Sequence, residues 1–107
     1  GYYKNAKLLF LLTFPKTYPH ESPKVVSRYE LYHPNIDTTG PVCLNILRLG
    51  WTPVLCLNAI IYGLINLLME PNIDEPLNKE AANTLKNNLP QFISNCEKCI
   101  KKLKLIQ

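Results

Sequence analysis

Apolar and β-branched residues crowd two short runs in the first third of the chain, 7–14 and 24–32, and both read as strands. Between them Pro15, Pro19 and Pro23 punctuate a polar stretch, so the two strands are joined by a turn and lie side by side. From residue 38 to 53 the period dissolves. Gly40, Pro41, Gly50 and Pro53 break any regular pattern there and predict mostly irregular backbone. A third strand finds no clear place before this loop.

The second half changes period. Asn58 ahead of 59–69 predicts a capped helix that ends near Glu70, because Pro71 disfavours helical backbone at its predecessor. This segment is apolar on nearly every side, the pattern of a central buried helix. Asn78 predicts the cap of a helix over 79–89, and Pro90 suits the first turn of a last one. That last helix sets Phe92, Ile93, Cys96, Cys99, Ile100, Leu103 and Ile106 on one stripe. Strands followed by helices, rather than alternating with them, make an α+β fold.

At 107 residues the chain is one domain, 1–107, large enough for a core and too small for two. Apolar residues make up 47% and charged residues 19%, which excludes a disordered or fibrous class. No run approaches the roughly 20 apolar residues of a membrane-spanning helix, so no membrane partner is expected. Gly1-Tyr2-Tyr3-Lys4 has neither the basic opening nor the apolar core of a signal peptide. It also lacks an initiating Met, and the expectation is a chain trimmed at its N-terminus.

Charge is unevenly placed. Residues 1–78 balance Lys4, Lys7, Lys16, Lys24, Arg28 and Arg48 against Glu21, Glu30, Asp37, Glu70, Asp74 and Glu75. The whole net charge of +4 therefore lies in 79–107. A basic tail can bind nucleic acid, but lysines between apolar residues at helical spacing are the wet face of a terminal helix. Interleaved aromatics are missing there, and no nucleic-acid partner is expected.

Four cysteines, at 43, 56, 96 and 99, do not make a stapled scaffold in a chain this rich in Leu and Ile. Reduced thiols in cytoplasm or nucleus are the expectation. Cys96 and Cys99 form a C-x-x-C inside the last helix, yet no second ligand pair at matching spacing accompanies them, and no metal is expected. Both read as core, as does Cys56 between Leu55 and Leu57.

The reactive residues converge on one run. Cys43 lies eight positions after Asn35 in Tyr32-His33-Pro34-Asn35-Ile36-Asp37-Thr38-Thr39-Gly40-Pro41-Val42-Cys43-Leu44-Asn45-Ile46-Leu47, followed by Trp51-Thr52-Pro53. A free cysteine is most often a small buried hydrophobe, but one among turn residues is open enough to react. Free thiols have a pKa of roughly 8.5 and suit thioester exchange near neutrality without a dedicated base. Asn35 offers an amide N–H₂. Turned towards the thiol it would hold an oxyanion, a contact worth roughly 2.7–4 kcal/mol in other acyl-transfer enzymes; turned back on its own chain it would make an Asx-turn. Spacing alone leaves both open. A Cys-His-Asn protease built on His33 is disfavoured, since Pro34 directly after it marks a structural turn and the chain is small for that architecture.

Several segments in register resemble those of ubiquitin-like conjugating enzymes. Gly1-Tyr2-Tyr3-Lys4 looks like the approach to that family's second strand, and Tyr18-Pro19-His20-Glu21-Ser22-Pro23-Lys24-Val25 like its Tyr-Pro-x-x-Pro-Pro-x-Val loop. His33-Pro34-Asn35, Cys43-Leu44-Asn45-Ile46-Leu47, Trp51-Thr52-Pro53 and Glu70-Pro71-Asn72-Ile73-Asp74-Glu75-Pro76-Leu77 follow in family order. The resemblance implies a small antiparallel β-meander packed on a central helix with two C-terminal helices, the family's N-terminal helix and first strand being absent. It further implies that Cys43 receives a ubiquitin-like modifier from an activating enzyme as a thioester and that Asn35 assists transfer to an acceptor lysine. His33 and Pro34 shape the active-site turn.

The acceptor lysine is the harder reactant. Its reference pKa near 10.4 leaves it almost wholly protonated at neutral pH, so an acid at the rim is implied to orient it and take its proton. The family usually has Asp before the Pro-Leu pair, where this chain has Glu75 preceded by Asp74; Asp37 is another rim position. Pro19, His20, Thr52 and Pro53 fall on the loops that RING-type ligases grip in that family. The strings around 33–37, 42–48, 60–64 and 74–82 look closest to the neddylation branch, with a cullin-type acceptor; Ser22 and Leu49-Gly50 depart from its pattern. A ubiquitin carrier proper, or an inactive module that only binds a modifier, are the alternatives. No cofactor is implied, ATP being used by the activating enzyme.

Overall fold

Two antiparallel strands, β1 (Phe10–Thr13) and β2 (Lys24–Ser27), pair from Phe10↔Ser27 to Thr13↔Lys24 in the computed structural model, which describes residues 1–55 and 57–107. Alternation does the sorting: Phe10 and Leu12 turn inward from β1, and Val25 is buried from β2. Both strands are shorter than their apolar runs. Residues 1–5 turn instead of pairing, with Lys4 N–H on the Gly1 carbonyl and Asn5 at φ 66°. After Ser27, whose hydroxyl donates to the Tyr29 carbonyl, one further bond (Arg28 N–H to Leu9 O, 2.9 Å) ends the ladder.

A third strand is reduced to fragments. Val26 bridges Pro41 and Ile36 bridges Val42, so the meander survives as single rungs. Gly40 makes the approach possible. At φ 119° it takes a conformation that L-residues avoid, and a Cβ there would meet Val26 Cγ1 at 2.8 Å and the Ser27 carbonyl at 2.9 Å.

Residues 38–53 are irregular apart from one 3₁₀ turn over Asn45–Leu47. Helix α1 (Leu57–Met69) then begins before Asn58, which sits exposed in its first turn. Its end is where Pro71 requires it. The expectation of all-round burial fails: Ile60 and Leu64 face the sheet, whereas Tyr62 is 70% exposed and Ile61, Ile65 and Met69 are open. The buried stripe packs with Val25, Leu44 and Leu47. Ile61, Ile65 and Met69 line an open apolar groove of about 630 Å³ shared with Phe10 and Leu12.

Asn78 caps α2 (Lys79–Asn87) through Ala81 N–H at 3.0 Å. Asn88 caps α3 (Leu89–Ile106), in which Pro90 takes a first-turn position. Of the apolar stripe on α3, Phe92, Cys96 and Leu103 are buried and Ile93 and Ile106 are exposed. Cys96 packs with Tyr3, Ala81 and Phe92, and Cys99 Sγ faces the Glu30 carbonyl at 3.8 Å. Lys98, Lys101, Lys102 and Lys104 lie on the wet face. Among the described residues no helix is long and apolar enough to cross a membrane. The core reading of Cys56 falls outside the described residues.

Candidate active site

His33 is fully buried, and both ring nitrogens are engaged by the scaffold. Nδ1 accepts from the Asn35 backbone N–H at 2.9 Å, so Nε2 carries the proton and donates to the Leu67 carbonyl of α1 at 3.0 Å. Burial pushes its pKa down to about 4, with the Leu67 carbonyl pulling the other way. The ring is therefore a neutral strut between turn and helix. Neither nitrogen is left to serve as a base for a thiol.

Asn35, 3% exposed, makes neither an Asx-turn nor a bond to sulfur. Its Nδ2 donates to the Asn72 carbonyl at 2.8 Å while its Oδ1 accepts the Asn72 N–H at 2.9 Å. The amide thus stands in for a strand partner to residue 72, and those two bonds leave one Nδ2 hydrogen uncommitted. Next to it, the Pro34 carbonyl accepts from both Leu77 and Asn78 N–H at 3.0 Å. The segment between Asn72 and Asn78 is clamped at both ends by one turn.

The same turn holds the cysteine. Cys43 N–H donates to the Asn35 carbonyl at 2.9 Å, which sets a half-buried thiol at the wall of a polar cleft of about 350 Å³. Asn35, Asn45, Arg48, Asn66, Leu67, Glu70, Asn72, Asp74 and Glu75 complete the lining. Arg48 Nη1 lies 3.1 Å from Cys43 Sγ. That bond is the main cause holding the guanidinium above its ordinary value, and the charge of Glu75 adds to it.

Asp74 and Glu75 are exposed and line the cleft. Asp74 N–H bonds Asn72 Oδ1 at 2.9 Å, a local Asx-turn. Glu75 takes φ 50°, the left-handed region, in which a non-glycine residue is strained. Asp37 is bonded locally. Its Oδ1 accepts from Thr39 N–H at 2.9 Å and Thr39 Oγ1 at 2.8 Å, bonds that hold its pKa below the usual range, and it is not among the residues lining the cleft. The amide and hydroxyl two residues on are the local partners that such a carboxylate favours.

Pro19, His20, Thr52 and Pro53 are all exposed on two adjacent loops. Trp51 ties those loops together, Nε1 donating to the Pro19 carbonyl at 3.0 Å with its ring against Tyr18.

Arg48 and Asn72 are the residues that motif reading passed over. Arg48 follows the quoted Cys-Leu-x-Ile-Leu run directly, and only the 3₁₀ turn bends it back to the sulfur. Asn72 sits in a quoted motif, but its pairing with Asn35 spans 37 positions and leaves no local signal.

A family model described as ubiquitin-conjugating enzyme matches residues 1–100. The Nedd8-conjugating enzyme UbcE2M of Drosophila melanogaster is 50% identical over 101 residues, 94% of this chain and 56% of that protein. The NEDD8-conjugating enzyme Ubc12 of Arabidopsis thaliana is 48% identical over 100 residues, 94% of this chain and 54% of that protein. The chain thus spans about half the length of the curated relatives it matches. Among solved structures, S. cerevisiae Ubc12 superposes with a TM-score of 0.86 at 47% identity, covering 91% of this chain and 52% of that one.

Proposed function

Because the chain belongs to the ubiquitin-conjugating enzyme family, we propose that Cys43 receives a ubiquitin-like modifier from an activating enzyme, as a thioester, and passes it to an acceptor lysine. The observation that carries the reading is the placement of Sγ: half-buried at the wall of a polar cleft, beside a cation and within a carboxylate-rimmed opening. A thioester formed there is open to an incoming amine. Residues 1–107 act in this reading as one catalytic core.

The remaining parts take distinct roles. Asn35 holds the 72–75 segment in place, and its uncommitted N–H is the donor available to an oxyanion. Glu75 and Asp74 orient the amine and draw off its proton, the carboxylates being exposed on the rim where an acceptor must enter. His33 and Pro34 fix the turn. Pro19, His20, Thr52 and Pro53 form the surface for a RING-type ligase, with Trp51 joining the two loops.

The modifier is NEDD8 in this reading, supported by the names of relatives near 50% identity, and the acceptor is a cullin-type protein, as the resemblance of the sequence motifs implies. ATP is consumed upstream in making the activated modifier, and thiol exchange followed by aminolysis calls for no cofactor here. A working Cys43 must stay reduced, which fits cytoplasm and nucleus.

The test incubates the protein with ATP, the NEDD8 activating enzyme and NEDD8, or with the ubiquitin pair, and looks for a thiol-sensitive adduct. NEDD8 adduct on the wild type, a thiol-resistant ester on Cys43→Ser and none on Cys43→Ala is the expected pattern. Preference for ubiquitin would overturn the branch. An adduct on Cys43→Ala, or none with either modifier, would overturn the site.

A further inference from the structure

We propose that Arg48 is a further catalytic residue of this site, its guanidinium holding the electron pair on the Cys43 sulfur whenever the C–S bond to the modifier is open. The inference rests on the thioester reading of Cys43.

The geometry is direct. Arg48 Nη1 stands 3.1 Å from Sγ, and a guanidinium only donates and never loses its charge. Local structure puts it there: the 3₁₀ turn is closed by Arg48 N–H on the Asn45 carbonyl at 3.1 Å, and Gly50 N–H takes the same carbonyl at 3.1 Å. The chain doubles back, so that a side chain five positions after Cys43 reaches its sulfur.

The surroundings make a cation necessary. Arg48 is the only basic residue among those lining the cleft, whereas Glu70, Asp74 and Glu75 are all acidic. His33 has both nitrogens committed elsewhere, and the one Asn35 N–H that Asn72 leaves free is the donor for the carbonyl oxygen and not for the sulfur. A sulfur leaving with a full negative charge would otherwise share the cleft with acids alone, and like charges repel.

In discharge the acceptor nitrogen attacks the thioester carbonyl carbon and the N–C bond forms. The C–S bond breaks, its electron pair stays on Sγ beside Arg48, and the amine proton passes to the rim carboxylates, Glu75 or Asp74, and from there to water. In loading the Cys43 sulfur, its proton released to water, uses that pair to attack the incoming thioester carbonyl; the old C–S bond breaks and the activating enzyme's sulfur leaves as a thiolate.

The experiment has two arms. Iodoacetamide alkylation of Cys43 at pH 7.5, followed by peptide mapping so that the other cysteines are counted separately, needs no partner. Arg48→Gln should slow it about tenfold, with Arg48→Lys in between. Added salt should slow the wild type and leave Arg48→Gln almost unchanged, because only a charge effect is screened. In single-turnover discharge of the loaded protein onto free lysine, Arg48→Gln should again be about tenfold slower while its adduct still forms. Wild-type alkylation rate and salt dependence in Arg48→Gln would overturn the proposal. Failure of any modifier to form an adduct overturns the thioester reading instead, and the alkylation arm separates the two.

Discussion

Asn35 grips the backbone of Asn72 with both ends of its amide, at 2.8 and 2.9 Å, while its own carbonyl holds the Cys43 N–H. One residue therefore couples the position of the thiol to the position of the rim carrying Asp74 and Glu75. Asn35→Ala removes both side-chain bonds and should lower stability by about 1–3 kcal/mol. Exchange of the Asn72 amide with deuterium should quicken, and lysine discharge should fall more than loading. An unchanged Asn72 exchange rate would show that the rim is held by the Pro34 carbonyl alone.

Acid should loosen the fold through His33. Its folded pKa is depressed to about 4, below the ordinary 6.5, so between those values the unfolded chain binds a proton that the folded one excludes. The stabilisation is complete above about pH 6.5 and is lost as pH falls towards 4, to a total of roughly 3 kcal/mol. Urea unfolding at pH 7.5, 5.5 and 4.5 should trace this loss. His33→Gln, which cannot titrate, should be weaker at pH 7.5 and show a flatter curve.

Glu75 combines strained backbone with a rim carboxylate, at φ 50°. Glu75→Gly removes both, so stability should hold or rise by up to about 1 kcal/mol while lysine discharge drops. Glu75→Asp should retain most of the discharge. Parallel loss of stability and discharge in Glu75→Gly would mean that the carboxylate supports the loop.

Two glycines should respond oppositely to alanine. Gly40 has positive φ and backbone within 2.9 Å of a new Cβ, so Gly40→Ala should destabilise by about 2 kcal/mol or more. Gly63 lies inside α1, where a Cβ meets the movable end of Ile46 at 3.2 Å. Helix preference gains about 1 kcal/mol there and offsets the crowding, so Gly63→Ala should lie near neutral by thermal unfolding.

Features with local causes were legible in the chain. Asn78 caps where a side-chain acceptor ahead of a periodic run must, and Pro71 stops α1 for steric reasons. Cys43 and Asn35 meet because turn residues between them allow little else. What escaped depends on partners distant in sequence. The apolar content of 59–69 does not say which sides find neighbours, and α1 buries one side only. The position of Asp37 two residues after Asn35 does not report that Thr39 holds its carboxylate. Arg48 directly follows the Cys-Leu-x-Ile-Leu run, but no periodicity reports an irregular turn that folds a cation back onto a sulfur.

Trp51 is the chain's single tryptophan, and its indole N–H bridges from one exposed loop to the Pro19 carbonyl on the other. The protein consequently carries its own fluorophore at the surface assigned to a ligase. Emission wavelength and quenching would register any protein seated across those loops, without a label, and would stay silent to events confined to the far side of the helices.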